Sequence, residues 1–286
     1  MADRNIFVIS DLHMGDGGPR DNFAVGDRNI QFRSFLDHVA EENGELIILG
    51  DLFEFWQASV GKVLTTHRDI LDRLDELKAT YVVGNHDADL QALIGTNLLN
   101  HPFFSRMTGP YERIIDSKRY RFMHGHEVDD FNKGDTPGWG RMMAIFAGIC
   151  EDKNGAPSLG SGSVEGALTR IGEWFLWVWK WLANRSTTDK SKKTKSIKGE
   201  LTPAQNPGRE QEMLRLYFED RQKEGYDVAV VGHTHQPKAV DGWYFNSGSW
   251  AGLANEFLLI TPSGQIKLGK WQNGKTSFGQ MSSEPS

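Results

Sequence analysis

The chain is expected to fold as a layered α/β protein. Two observations predict this: short continuous apolar runs that read as buried strands, and amphipathic helical spacing between them. At 286 residues it is long enough for one large core, or for one core with a smaller inserted unit.

Ile6-Phe7-Val8-Ile9 is the first buried-strand run. Phe32, Phe35, Leu36 and Val39 fall at helical spacing and predict an amphipathic helix. Leu46-Ile47-Ile48-Leu49 reads as a second strand, Ile70, Leu71, Leu74 and Leu77 as a second helix, and Tyr81-Val82-Val83 as a third strand. Near Phe131 the texture changes, and residues 131–206, rich in Gly, Ser, Trp and Lys, read as an inserted, mostly helical cap. Glu210 to Lys223 is a further amphipathic helix carrying Met213, Leu214 and Tyr217, and Val228-Ala229-Val230-Val231 resumes the strand pattern. From Trp243 to Trp271, short alternating runs with turn signals at Asn246-Ser247-Gly248 and Pro262-Ser263-Gly264 predict antiparallel strands. The core is thus expected to comprise residues 1–130 and 207–272, with 273–286 a frayed tail.

Hydrophobic content of 38% and charged content of 24% describe an ordinary globular protein. The formal net charge of −6 argues against a nucleic-acid partner, since such proteins rely on basic surface to neutralise phosphates. Cys150 is the single cysteine, so no intramolecular disulfide can form, which fits a reducing compartment. Met1 to Asn5 run straight into the first strand without the apolar stretch of a signal peptide, and no apolar run approaches the roughly 20 residues of a membrane span. A cytoplasmic location is expected, or attachment to a membrane surface from that side.

The chemistry lies in the segments directly after the strands. Asp11-Leu12-His13 comes after the first, Gly50-Asp51-Leu52-Phe53-Glu54 after the second, and Gly84-Asn85-His86-Asp87 after the third; His124-Gly125-His126 and Gly232-His233-Thr234-His235 come later. In open α/β sheets, sites form where loops leave the carboxyl ends of strands, so five such loops could converge. Carboxylate, imidazole and amide oxygen together favour Mn, Fe, Zn or Co over calcium. Alternation along an extended exit would send Asp11 and His13 the same way, toward one ion. The glycines before Asp51, Asn85 and His233 permit tight turns and close backbone approach. Each motif alone has a bland reading: Asp-x-His as incidental surface residues, Gly-Asn-His-Asp as an ordinary turn, His-Gly-His as a satisfied buried histidine. Their occurrence together, in order, is the signal.

That order resembles the calcineurin-like metallophosphoesterase family, from Ile6 to about Phe257 without the insertion. The resemblance implies a β-sandwich flanked by helices and a site for two divalent metals, manganese first, with iron, zinc, cobalt or magnesium as alternatives. It implies Asp11, His13 and His235 as ligands of one metal, Asn85, His124 and His233 of the second, and Asp51 as the bridge. Two cations about 3.5–4 Å apart lower the pKa of a water between them and clamp phosphate oxygens through in-line displacement, so no protein nucleophile is needed. His86, beside Asn85, is placed to stabilise charge or protonate the leaving oxygen, and Glu54 to orient that imidazole; the competing reading of His86 is a spacer.

The insertion bears on substrate. Gly172 to Leu182 packs four tryptophans; as a helix it puts Trp174, Trp177, Val178 and Trp181 on one face, and a basic run from Lys190 to Lys195 comes next. Such a segment suits an anionic membrane surface, burial against the core, or a groove for acyl chains. Leu49-Gly50-Asp51-Leu52-Phe53-Glu54-Phe55-Trp56, with a helical insertion after His-Gly, is similar to the UDP-2,3-diacylglucosamine pyrophosphatases of lipid A synthesis. Those enzymes carry arginine in Gly-Asn-x-Asp where this chain has His86, the form shared with general phosphodiesterases and phosphatases. Arg20 is a candidate phosphate contact against the plainer reading of a surface arginine, and His126 a candidate substrate contact. Three functions stay open: a lipid-linked sugar-nucleotide pyrophosphatase, a broad phosphodiesterase or phosphatase acting on small molecules including cyclic nucleotides, and a non-catalytic scaffold. The complete ligand set argues against the third.

Overall fold

The computed structural model describes residues 4–18, 21–24, 26–96, 99–129, 207–251 and 255–279. One compact unit takes in Met1–Arg141 with Pro203–Ser286; a second, Met142–Thr202, lies outside the described residues, as does the whole of the expected cap.

Two sheets stack on each other, with helices on both outer faces. The first sheet begins from β1 (Ile6–Ile9), β2 (Glu45–Leu49), β3 (Thr80–Val82) and β4 (Met107–Thr108), each parallel to the next. Beside β1 it continues antiparallel through β10 (Glu256–Ile260), β11 (Ile266–Gln272) and β12 (Lys275–Phe278), giving the order β12-β11-β10-β1-β2-β3-β4. The second sheet is β5 (Tyr111–Ile115), β6 (Lys118–Phe122), β7 (Val228–Val231), β9 (Tyr244–Asn246) and β8 (Lys238–Val240), in that spatial order. Its three central strands are parallel and its two edges antiparallel.

Strand alternation divides the apolar residues between two cores. Ile6 and Val8 of β1, with Ile47, Leu49 and Val82, face Tyr120, Phe122, Val228, Val230 and Phe245 of the second sheet. Phe7 and Ile9 face the other way, with Leu46, Ile48 and Tyr81, into a larger cluster under α1 (Arg28–Glu41) and α3 (Arg68–Glu76). Helix α1 buries Phe32, Phe35, Leu36 and Val39, and α3 buries Ile70, Leu71 and Leu74. Phe35 meets the rings of Phe7, Trp250, Phe257 and Trp271 at 5.0–6.0 Å, so truncating it to Ala costs about 3–5 kcal/mol. Between these helices lies a shorter one, α2 (Val60–Thr66), which the sequence patterning does not mark. On the far side, α4 (Pro207–Glu224) lays Met213 and Tyr217 on Ala229, Val231 and Tyr244.

Two expectations are corrected. The tail does not fray from residue 273: Lys275–Phe278 pairs with Gly269–Gln272 as β12. Nor is the segment from Trp243 wholly antiparallel, because β9 joins β7 in parallel and thereby puts Asn246 beside Val231. Among the described residues, no helix is long and apolar enough to cross a membrane.

Candidate metal centre

Three parallel strands of one sheet, β1, β2 and β3, and three of the other, β6, β7 and β9, deliver their following loops to one place. The convergence does not use strand alternation. Asp11, His13, Asp51, His233 and His235 all hold left-handed backbone, with φ between 50° and 69°. For non-glycine residues this costs on the order of 1–3 kcal/mol each, and such strain concentrates at functional sites. The turns are held by backbone ties: Asp11 N–H donates to Gly50 O at 3.2 Å, and His13 N–H to Asp51 O at 2.9 Å. Gly50 (φ 81°) also lies so near His124 that an added Cβ would sit 2.5 Å from Nδ1.

The donor atoms form three overlapping groups among the described residues: Asp11, His13 and His235; His13, Glu54 and His86; and Asp11, Asp51 and His124. In the first, His13 Nε2 and His235 Nε2 are 3.2 Å apart, and Asp11 Oδ1 lies 3.1 Å from His235 and 4.0 Å from His13. Asp51 Oδ2 stands 3.8 Å from His13 Nε2 and 3.3 Å from His124 Nε2, so a single carboxylate oxygen faces both histidines. The same His124 Nε2 is 2.9 Å from Asn85 Oδ1. His233 stands beside these groups: its ring centroid is 5.1 Å from that of His124, and its Nε2 is 3.0 Å from Asp129 Oδ2. A metal bond from His233 would fall to Nδ1, with Asp129 orienting the ring.

Two observations show that cations suit this donor set. His124 Nδ1 donates to Leu49 O at 2.6 Å, while Nε2 faces only acceptors, so either a second ring proton or a cation must occupy that side. Asp11 Oδ1 is buried without a well-formed hydrogen bond, facing His235 Nε2 at 3.1 Å, an acceptor that a cation between them would satisfy. The residues fit a pair of divalent metals with mixed nitrogen and oxygen ligands.

The electrostatics agree. Burial alone would raise Asp11, but His235 and then His124 bring its carboxyl down to about 2. Burial likewise opposes ionisation of Asp51, and His124 followed by His86 hold it well below the usual carboxylate range. Glu54, buried but hydrogen-bonded by His13 and His86, sits at about 2. His124 moves the opposite way: burial is overridden by Asp51, which lifts the imidazole to about 10. His86 is raised too, by Asp51 and Glu54 against burial. His126 is pushed down to about 4, chiefly by burial.

Around this centre, Glu54 Oε2 lies 2.7 Å from His86 Nδ1 and 3.3 Å from His13 Nδ1. The backbone N–H of His86 donates to Asp51 Oδ1 at 2.8 Å. Asp87 ties two loops together by accepting from Gly84 N at 2.6 Å and Leu52 N at 2.8 Å. Burial and the charge of Asp51 raise its carboxyl to about 6. Arg20, Trp174 and Trp177 lie outside the described residues.

Some supporting residues escape a reading of the sequence. Asp129 is one, five positions past His124. Asn246 is another: read as a turn former, it donates through Nδ2 to Gly232 O at 2.6 Å and Thr234 Oγ1 at 3.1 Å, bracing the Gly-His-Thr-His turn. Ser249 Oγ donates to Asp11 O at 3.1 Å, and Ser247 Oγ meets Ser10 Oγ at 2.7 Å. Asn246 ends β9, which is parallel to β7, and Ser247 and Ser249 come directly after it.

No curated protein matches the chain, whereas 51 chains of solved structures do. The chain is similar to vacuolar protein sorting 29 from Cryptosporidium parvum, with 13% identity, a TM-score of 0.44, and coverage of 96% of this chain and 95% of that one. It is also similar to a conserved uncharacterized protein, a predicted phosphoesterase, from Streptococcus pneumoniae TIGR4, with 12% identity, a TM-score of 0.37, and 98% of each chain covered. Residues 4–237 match the model of the calcineurin-like phosphoesterases. That match spans most of the sequence, and the chain belongs to the calcineurin-like phosphoesterase family.

Proposed function

We propose that this protein hydrolyses a phosphate ester or phosphoanhydride with the aid of two divalent cations. The observation that carries the reading is Asp51 Oδ2, set between His13 Nε2 and His124 Nε2 at 3.8 and 3.3 Å. Asp11, His13 and His235 would hold one cation, Asn85, His124 and His233 the other, and Asp51 both. Such a pair, when bound, supplies an activated water and charge neutralisation at the phosphate oxygens. Manganese is our first choice of metal; iron, zinc, cobalt and magnesium suit the same donors.

The protein's own groups then position and transfer protons. Glu54 accepts from His86 Nδ1, which leaves Nε2 as the nitrogen to meet the substrate and protonate the leaving oxygen. The carboxylates of Asp51 and Glu54 favour the protonated ring that such a donor needs. His126 is kept neutral and offers a hydrogen bond to the substrate without adding charge. Arg20 is assigned the remaining phosphate contact.

For the substrate we infer a lipid-linked sugar-nucleotide diphosphate of the UDP-2,3-diacylglucosamine type. Support comes from the Leu49–Trp56 segment and from Trp174 and Trp177, which would receive acyl chains or an anionic inner-membrane surface. His86 favours a second reading, a phosphodiesterase or phosphatase of broad range, cyclic nucleotides included. One assay separates them: Mn²⁺-supplemented turnover of UDP-diacylglucosamine, cyclic nucleotides, bis-p-nitrophenyl phosphate and simple monoesters. Release of UMP from the lipid alone supports the first reading, and turnover of the soluble esters alone the second. Turnover of none, with any of the five metals, would defeat both.

A further inference from the structure

The indole of Trp56 lies flat on His86. The ring centroids are 3.6 Å apart and the planes 21° from parallel. On another side, His13 presents to His86 at 4.5 Å and 83°, nearly perpendicular. Glu54 links all three: Oε1 accepts the Trp56 backbone N–H at 3.0 Å, and Oε2 lies 2.7 Å from His86 Nδ1 and 3.3 Å from His13 Nδ1. Phe55 N–H also donates to His86 O at 3.3 Å, which closes the short loop onto the histidine's own backbone.

We propose that Trp56 is the positioning residue that fixes the His86 imidazole for the hydrolysis proposed above, on which this inference rests. One hydrogen bond at Nδ1 holds a point of the ring and leaves it free to rock about that bond. The carboxylate oxygen is moreover shared with His13, so it cannot by itself dictate the plane of His86. A flat aromatic face at van der Waals distance removes the remaining freedom. Trp56 is only partly buried, so this contact is not simply a consequence of core packing.

The test compares Trp56→Phe, which keeps a flat face, with Trp56→Leu, which keeps apolar volume without one. Each is made in the wild-type and in the His86→Ala background and assayed with Mn²⁺ at equal metal content on whichever of the four substrates above the wild type turns over fastest. The expected result is a fall in kcat of about tenfold or more for Trp56→Leu, with KM and bound metal little changed, and near-complete recovery for Trp56→Phe. In the His86→Ala background, Trp56→Leu should cost nothing further. An equal loss in both backgrounds, or a loss confined to KM, would overturn the proposal while leaving the hydrolytic reading intact. A wild type that turns over none of those substrates would instead defeat the reading on which the proposal rests.

Discussion

His13 and His235 point their Nε2 atoms at each other across 3.2 Å, with Asp11 Oδ1 3.1 Å from the second. Two imidazole nitrogens at that distance can share one proton at most, and a metal ion satisfies both at once. Chelation should therefore lower Tm, and Mn²⁺ should restore it. At a hundredfold excess over Kd the gain is about 2.7 kcal/mol, or several degrees for a chain of this size. His235→Ala should show a smaller rise in differential scanning fluorimetry. No response of the wild type to Mn²⁺, Zn²⁺ or Co²⁺ would contradict the assignment.

On the proposed ligand assignment, the pH dependence of metal uptake should follow His124. Asp51 overrides burial and raises this imidazole to about 10. In the metal-free protein its protonation favours the fold: that contribution is complete below the unfolded value of about 6.5 and is lost as pH climbs through about 10. A cation must displace the same proton. Apparent affinity should rise with pH, approaching about tenfold per unit for one proton, and calorimetry in buffers of different ionisation enthalpy should record proton release. A pH-independent Kd between 6 and 9 on that scale would mean His124 gives up no proton.

Gly84 tests the packing of the second and third loops. A Cβ there would press on the Asp51 carboxylate and backbone N. Gly84→Ala should cost about 1–3 kcal/mol of stability and reduce bound metal, measured by elemental analysis, with secondary structure unchanged by circular dichroism. Full metal loading in this variant would show that Asp51 can shift without consequence.

Asp129 tests the orientation of His233, whose Nε2 it meets at 3.0 Å. Asp129→Asn should weaken metal binding by about 10–100-fold, the usual effect of losing a carboxylate behind a ligating histidine. Unchanged affinity by titration would exclude His233 from the metal's ligands.

Much of this architecture is legible in the sequence, for physical reasons that vary along the chain. β1 and β7 are buried on both faces, so Ile6–Ile9 and Val228–Val231 read as unbroken apolar runs with clear ends. β5 and β6 do not, because Arg113, Lys118, Arg119 and Arg121 interrupt them, the three arginines being accommodated by Glu45 and Glu112. β12 looks like a tail because its one large apolar residue, Phe278, is exposed. In the site, ligand-type residues announce themselves by type and by place after a strand. Their left-handed backbone and their supports, Asp129, Asn246 and Trp56, depend on contacts between loops far apart in sequence.

Sharing of Asp51 by two cations is what every role assigned above requires. Anomalous diffraction from crystals grown with Mn²⁺ examines it without intermediaries. Two peaks are expected about 3.5–4 Å apart, both bonded to the Asp51 carboxylate, one reached by His13 and His235 and the other by Asn85 and His124. A single peak, or two that do not meet at Asp51, would refute it.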